Sequence, residues 1–110
     1  MLNFGRVNNQ NNITMQFVLT GYDGTDEGAL DRRMKVREDH LAKVKVLKGK
    51  GQILFGGAIL DDSGKMIGSV IVYEAADRQA LDELLKDEPY IKGDVWRKVD
   101  IRPFRLAKLD

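Results

Sequence analysis

The chain reads as an α+β domain in which one antiparallel sheet is backed by helices, and three observations predict this. Runs with a two-residue apolar period and runs with a helical period succeed one another in the order β-α-β-β-α-β. The 110 residues suffice for a single core and are too few for two. No self-similar repeat divides them.

The first strand is carried by Met15, Phe17 and Leu19, which alternate with Gln16, Val18 and Thr20. Ahead of it, residues 1–13 include VNNQNN, a polar stretch with no periodicity and little to bury, which predicts a mobile tail and leaves 14–110 as the folded domain. GYDGTDEG, residues 21–28, has turn chemistry, and Thr25 or Asp26 suits the N-cap of the helix that follows. In that helix Leu30, Met34, Leu41, Val44 and Leu47 recur at helical spacing as one apolar stripe, and Gly49 and Gly51 stop it. QILFGGAIL, residues 52–60, is a second strand whose Gly56 and Gly57 mark a bulge or the close approach of another backbone. DDSGK turns it into GSVIVYE, residues 68–74, so these two strands form a hairpin. Asp77 caps a short helix with Ala80, Leu81, Leu84 and Leu85 on its buried side, and Pro89 is expected to end it. The last strand, residues 95–104, sets Val95, Val99 and Ile101 against Trp96, Lys98, Asp100, Arg102 and Phe104. Right-handed crossovers leave this order one compact topology, the ferredoxin-like βαββαβ arrangement with both helices on one face.

Each strand offers apolar groups to both faces of the sheet: Val18 opposite Phe17, Leu54 opposite Ile53, Val70 and Val72 opposite Ile71 and Tyr73, Trp96 opposite Val95. Helices cover one face only. A second copy packed sheet to sheet is the economical cover for the other, which predicts a homodimer with a barrel-like centre.

Eighteen basic and seventeen acidic residues leave a net charge of +1, which argues against nucleic acid or a membrane surface as partner. GSVIVYE also lacks the aromatic pattern of an RNA-binding sheet. With no cysteine there is no disulfide, thiolate nucleophile or cysteine zinc site, and a single histidine excludes a His-rich metal cluster. Neither metal nor cofactor is expected. No apolar run approaches the roughly 18 residues of a membrane-spanning helix, and no basic-then-apolar leader opens the chain, so the expected location is the cytoplasm.

The one histidine, His40, lies on the long helix. An unperturbed imidazole titrates near pH ~6.5, so it is the side chain here suited to exchanging a proton at neutral pH. Arg33, Arg37, His40 and Val44 step by four, three and four, placing two guanidinium groups and the ring in a row beside the apolar stripe, where a cleft would open. A carboxylate on one ring nitrogen fixes the tautomer and leaves the other nitrogen for proton transfer, and Glu88 or Asp87 of the Asp87-Glu88-Pro89-Tyr90 turn could supply it. Arg33 and Arg37 suit an anionic substrate or enolate, and a plainer alternative pairs them with Asp39, Glu38 or Glu27 along the helix. Asp23, beside Tyr22, and Ser69 complete the candidates. No nucleophile elbow, phosphate loop or zinc spacing is present.

Over residues 15–105 these features fall in an order that resembles the YCII-related (YciI-like) proteins. A strand is followed by R-x-x-x-R-x-x-H-L at 33–41, then GGAIL, then Gly68-Ser69 opening a strand, an acid-Pro-Tyr turn, and a strand closing on Arg102-Pro103-Phe104. The resemblance implies a dimeric α+β barrel and a site in which a histidine and an aspartate form a dyad. By position the histidine is His40, while the family's aspartate falls on Glu88, a departure that leaves either an adjusted geometry or a role for Asp87. Tyr90, Arg37 and Ser69 match positions near the family's pocket. One group in the family is linked to eliminating chloride from a chlorinated hydroxyhydroquinone, and most members have no assigned substrate. The functions implied are a cofactor-free enzyme of dehydrochlorinase-like lyase or isomerase type, using acid/base chemistry on a small hydroxylated or enolisable metabolite, or a non-catalytic dimer binding a small anionic or phenolic ligand.

Overall fold

The structure, a computed structural model, describes residues 13–109. The expected tail therefore lies outside the described residues except for the exposed Ile13. The elements are β1 (Met15–Asp23), α1 (Ala29–Gly49), β2 (Ile53–Leu60), β3 (Met66–Ala75), α2 (Arg78–Leu85), α3 (Pro89–Lys92) and β4 (Trp96–Phe104). The sheet order is β2-β3-β1-β4 with every neighbouring pair antiparallel, which is the ferredoxin-like topology that the order of periods predicts.

On the helix-covered face, Phe17 and Leu19 of β1 pair with Tyr73 and Ile71 of β3, and all four are buried. Burial of each such side chain contributes about 1.5–3 kcal/mol before the cost of ordering it. Leu47 of α1, Leu81 and Leu85 of α2 and Tyr90 of α3 close this core from above.

The ends of the elements follow from local chemistry, with two departures from expectation. α1 is capped by Gly28 without a side-chain hydrogen bond, because Asp26 instead binds Arg32 through two hydrogen bonds of 2.8 and 2.6 Å. At its far end Gln52 N–H donates to Leu47 O and Gly51 N–H to Lys48 O, with Gly51 at φ 75, a left-handed cap that suits glycine. Asp77 caps α2 by accepting from Ala80 N at 2.8 Å. Pro89 does not end α2, which stops at Leu85; it is the first residue of α3, where its missing N–H costs nothing.

The apolar stripe on α1 is also displaced from its expected position. Met34 and Leu41 are 48% and 46% exposed, whereas Arg33 and His40 are buried beside Ala29 and Leu47. The row read as a border is the inward face, because Asp23 and Ser69 accept from the two Arg33 Nη atoms and Glu88 pairs with His40 Nδ1, although Arg33 Nε stays without a partner among the described residues.

A one-residue irregularity in the β1–β4 ladder decides the other major feature. Tyr22 pairs with Lys98 but Asp23 pairs with Trp96, so Arg97 is an extra residue on β4. In a regular ladder Trp96 would share the face of Lys98; the bulge moves it to the helix side, where it is buried. The far face of the sheet is consequently mixed. Val18 and Val70 are half-buried and Val72 is buried there, but Phe55 is 46% exposed and Lys98 and Arg102 stand on the same side. The expected continuous apolar face is thus interrupted, since Trp96 is withdrawn from it and the alternation along β4 fills it with charge.

The indole of Trp96 lies against Gly21. A Cβ at this position would sit 2.6 Å from Trp96 Cγ and Cε2, closer than real contacts allow. Gly21→Ala is therefore expected to expel the ring and cost about 1–3 kcal/mol, the usual penalty for overpacking a filled core. Urea unfolding followed through the emission of this single tryptophan checks it.

Candidate active site

β2 is an edge strand, and on its helix-facing side it presents Gly56 and Ala58 opposite Ile71 and Ser69. With so little side chain there, α1 and the sheet do not close, and a cavity of about 150 Å³ remains. Arg33, Arg37, His40 and Val44 of α1, Ser69 of β3 and Tyr90 of α3 line it. A space of this size holds one benzene-sized ring.

His40 is 7% exposed and its Nδ1 lies 2.8 Å from Glu88 Oε2. The same carboxylate oxygen accepts from Tyr90 N–H at 2.7 Å, so Glu88 also caps α3. A carboxylate only accepts, so the proton of this bond sits on His40 Nδ1 and the lone pair of the neutral ring is on Nε2. Nε2 has no hydrogen-bond partner among the described residues. The ring is further fixed by stacking on Tyr90, with centroids 3.9 Å apart and planes 17° apart, and by the edge of Trp96 at 6.2 Å.

Behind the imidazole, Arg33 Nη1 donates to both oxygens of Asp23, at 3.0 and 3.1 Å, and Nη2 donates to Ser69 Oγ at 2.8 Å. Its guanidinium carbon stands 4.6 Å from the centre of the Tyr90 ring. Trp96 Nε1 also donates to Ser69 Oγ, at 3.2 Å. Burial pushes the Asp23 carboxyl above its usual range, with the Arg33 charge pulling the other way. Just above pH 3.8 the folded protein thus retains a proton that the unfolded chain has lost, so this group alone lowers stability as pH rises through that window. A carbon-detected NMR titration should place the Asp23 midpoint above 3.8. Burial also raises the Tyr90 phenol, against the opposing pull of Arg33 and Arg37, and keeps it neutral.

Of the residues singled out by sequence, His40, Glu88, Arg33, Ser69 and Tyr90 meet in one cluster, and Arg37 joins them on the cavity wall. Asp87 does not: it is exposed, and the capping geometry turns its neighbour inward instead. Asp23 is buried as the counter-ion of Arg33 and is not part of the cavity lining. The helix-surface pairs of Arg33 or Arg37 with Glu27, Glu38 or Asp39 do not form among the described residues; Arg33 turns to Asp23 and leaves Arg37 as the cavity's cation without a carboxylate within 4.0 Å. Trp96 joins the cluster without a sign in the sequence, since the bulge that brings it inward leaves no mark in the alternation. Among the described residues, no group of three His, Cys, Asp or Glu side chains could hold a metal ion and no helix is long and apolar enough to cross a membrane.

Comparison with known proteins agrees with this fold. A profile of the YCII-related domain matches residues 15–105. Protein YciI of Escherichia coli is 28% identical over 97 residues, covering 83% of this chain and 97% of its own length. TftG, the 5-chloro-2-hydroxyhydroquinone dehydrochlorinase of Burkholderia phenoliruptrix, solved with 2,5-dihydroxybenzoquinone, has TM-score 0.72 at 23% identity, covering 84% of this chain and 96% of that one. A dimeric ferredoxin-like protein from an uncultured marine organism has TM-score 0.52 at 15% identity, covering 89% and 100%. At these identities the two structures speak to the fold.

Proposed function

The chain belongs to the YCII-related family, and we propose that its cavity carries out cofactor-free general acid/base chemistry on a small hydroxylated or enolisable compound, with His40 as the proton carrier and Glu88 as the carboxylate that orients it. The observation that carries this is the 2.8 Å contact between His40 Nδ1 and Glu88 Oε2 in a ring that also lines the cavity. Nε2 takes a proton from a substrate hydroxyl or activated carbon; the imidazolium is held against Glu88; and the proton is returned at another position or to a departing group. Arg37 balances the negative charge that develops on the substrate. Arg33 is less suited to that task, because Asp23 already neutralises it. The volume, near that of a single ring, favours a monocyclic phenol or enol.

The test uses 2,5-dihydroxybenzoquinone, the compound bound to TftG, with hydroquinones as a panel. In heavy water the protein is expected to accelerate exchange of ring hydrogens for deuterium above the buffer rate, followed by NMR. Binding without exchange across the panel would instead favour a non-catalytic ligand carrier.

The working form in this proposal is a homodimer. Exposed Phe55 with half-buried Val18 and Val70 on the uncovered sheet face supports it. Light scattering should give twice the monomer mass at micromolar concentration, and a monomer would remove this part of the proposal.

A further inference from the structure

We infer that the Ser69 hydroxyl is a committed hydrogen-bond donor to the occupant of the cavity, so that the ligand presents an oxygen acceptor at that wall; this rests on the cavity being a ligand site. A serine hydroxyl has one proton to give and two lone pairs to receive with. Both receiving positions are taken, by Arg33 Nη2 at 2.8 Å and Trp96 Nε1 at 3.2 Å. Neither nitrogen accepts, so the proton of Ser69 cannot be directed at them. It has no acceptor among the described residues, yet Ser69 is only 2% exposed, and a buried donor without a partner is costly. The side of Ser69 left for it is the cavity, which Ser69 lines together with His40 and Arg37.

The arrangement is more than a filled valence. The charge of Arg33 polarises Ser69 along the chain Arg33 to Ser69 to ligand, which strengthens the final bond. As His40 withdraws a proton, an oxygen on the occupant becomes more negative, and a donor already aimed at it holds the new charge without reorganising. Phenolate, enolate and carboxylate oxygens meet the requirement. Hydrocarbons, and groups that only donate, do not. Ser69 is thereby a specificity residue for the proposed reaction.

Two measurements decide the matter, and neither needs turnover, so they stand apart from the acid/base role of His40. Neutron diffraction from deuterium-exchanged crystals of the wild-type protein should place the Ser69 deuteron on a line into the cavity; a deuteron donated to a main-chain carbonyl would overturn the assignment. Benzoate and toluene are then titrated, read through the single tryptophan that contacts Ser69. Ser69→Ala is expected to weaken benzoate about ten- to a hundredfold, the usual value of a hydrogen bond to a charged group, and to leave toluene unchanged. Equal losses for both, or no benzoate binding by the wild-type protein, would refute it. The neutron result holds even if Ser69→Ala, which strips Arg33 and Trp96 of their acceptor, does not fold.

Discussion

Replacing Arg33 by methionine is expected to destabilise the protein by about 3–5 kcal/mol, the cost of leaving one member of a buried ion pair without the other. The side chains of Arg33 and Asp23 are 3% and 2% exposed, so water cannot take over when the guanidinium is removed. The same change also takes a donor from Ser69 and the cation from the Tyr90 ring. Arg33→Met with Asp23→Leu should regain much of the loss, because an apolar pair of similar volume leaves no charge stranded. Arg32→Met is the control: its partner Asp26 stands in solvent, where screening makes an ion pair weak. Chemical denaturation of the four proteins gives the comparison. A loss at Arg33 no greater than that at Arg32 would mean that the buried pair does not hold α1 to the sheet.

His40→Gln is expected to lower the exchange rate of the wild-type protein by about 10²–10⁴-fold, the range supplied by a positioned acid/base group. Glutamine can still donate to Glu88 Oε2 through its amide, so the fold should survive, but it offers no group that takes up a proton near neutral pH. Glu88→Ala acts on two levels. It frees the ring to change tautomer, and it removes the cap of α3, worth about 1 kcal/mol. Its loss of rate should therefore come with a loss of stability, whereas that of His40→Gln should not. Undiminished exchange in His40→Gln would dismiss the imidazole as the proton carrier.

Periodicity alone carried the strand order, the hairpin, the long helix and the topology, because each depends on short-range patterns that one face of the sheet enforces. It misplaced the inward side of α1. Met34 and Leu41 look like core residues and Arg33 and His40 like rim residues until the partners of the latter are known, and those partners lie 10 and 48 residues away in the chain. The choice between Asp87 and Glu88 was undecidable for a similar reason. It turns on which carboxylate the backbone ahead of Pro89 directs to Tyr90 N–H, a matter of cap geometry that spacing does not encode. Pro89 is ambiguous in the sequence, since proline both ends one helix and begins another, and only the three residues between Leu85 and Pro89 separate the two outcomes.

The extra residue at Arg97 makes pairing register, more than residue identity, the sensitive quantity at the start of β4. Deleting Arg97 would make the ladder regular with Trp96 still opposite Asp23 on the helix side, whereas a pairing in which Arg97 itself stood opposite Asp23 would put Trp96 on the face of Lys98, away from Ser69. Substitutions of Arg97, an exposed side chain, should by contrast pass almost unnoticed. A slip of pairing in this short segment is therefore an economical route by which such a domain could lose its site and keep its scaffold.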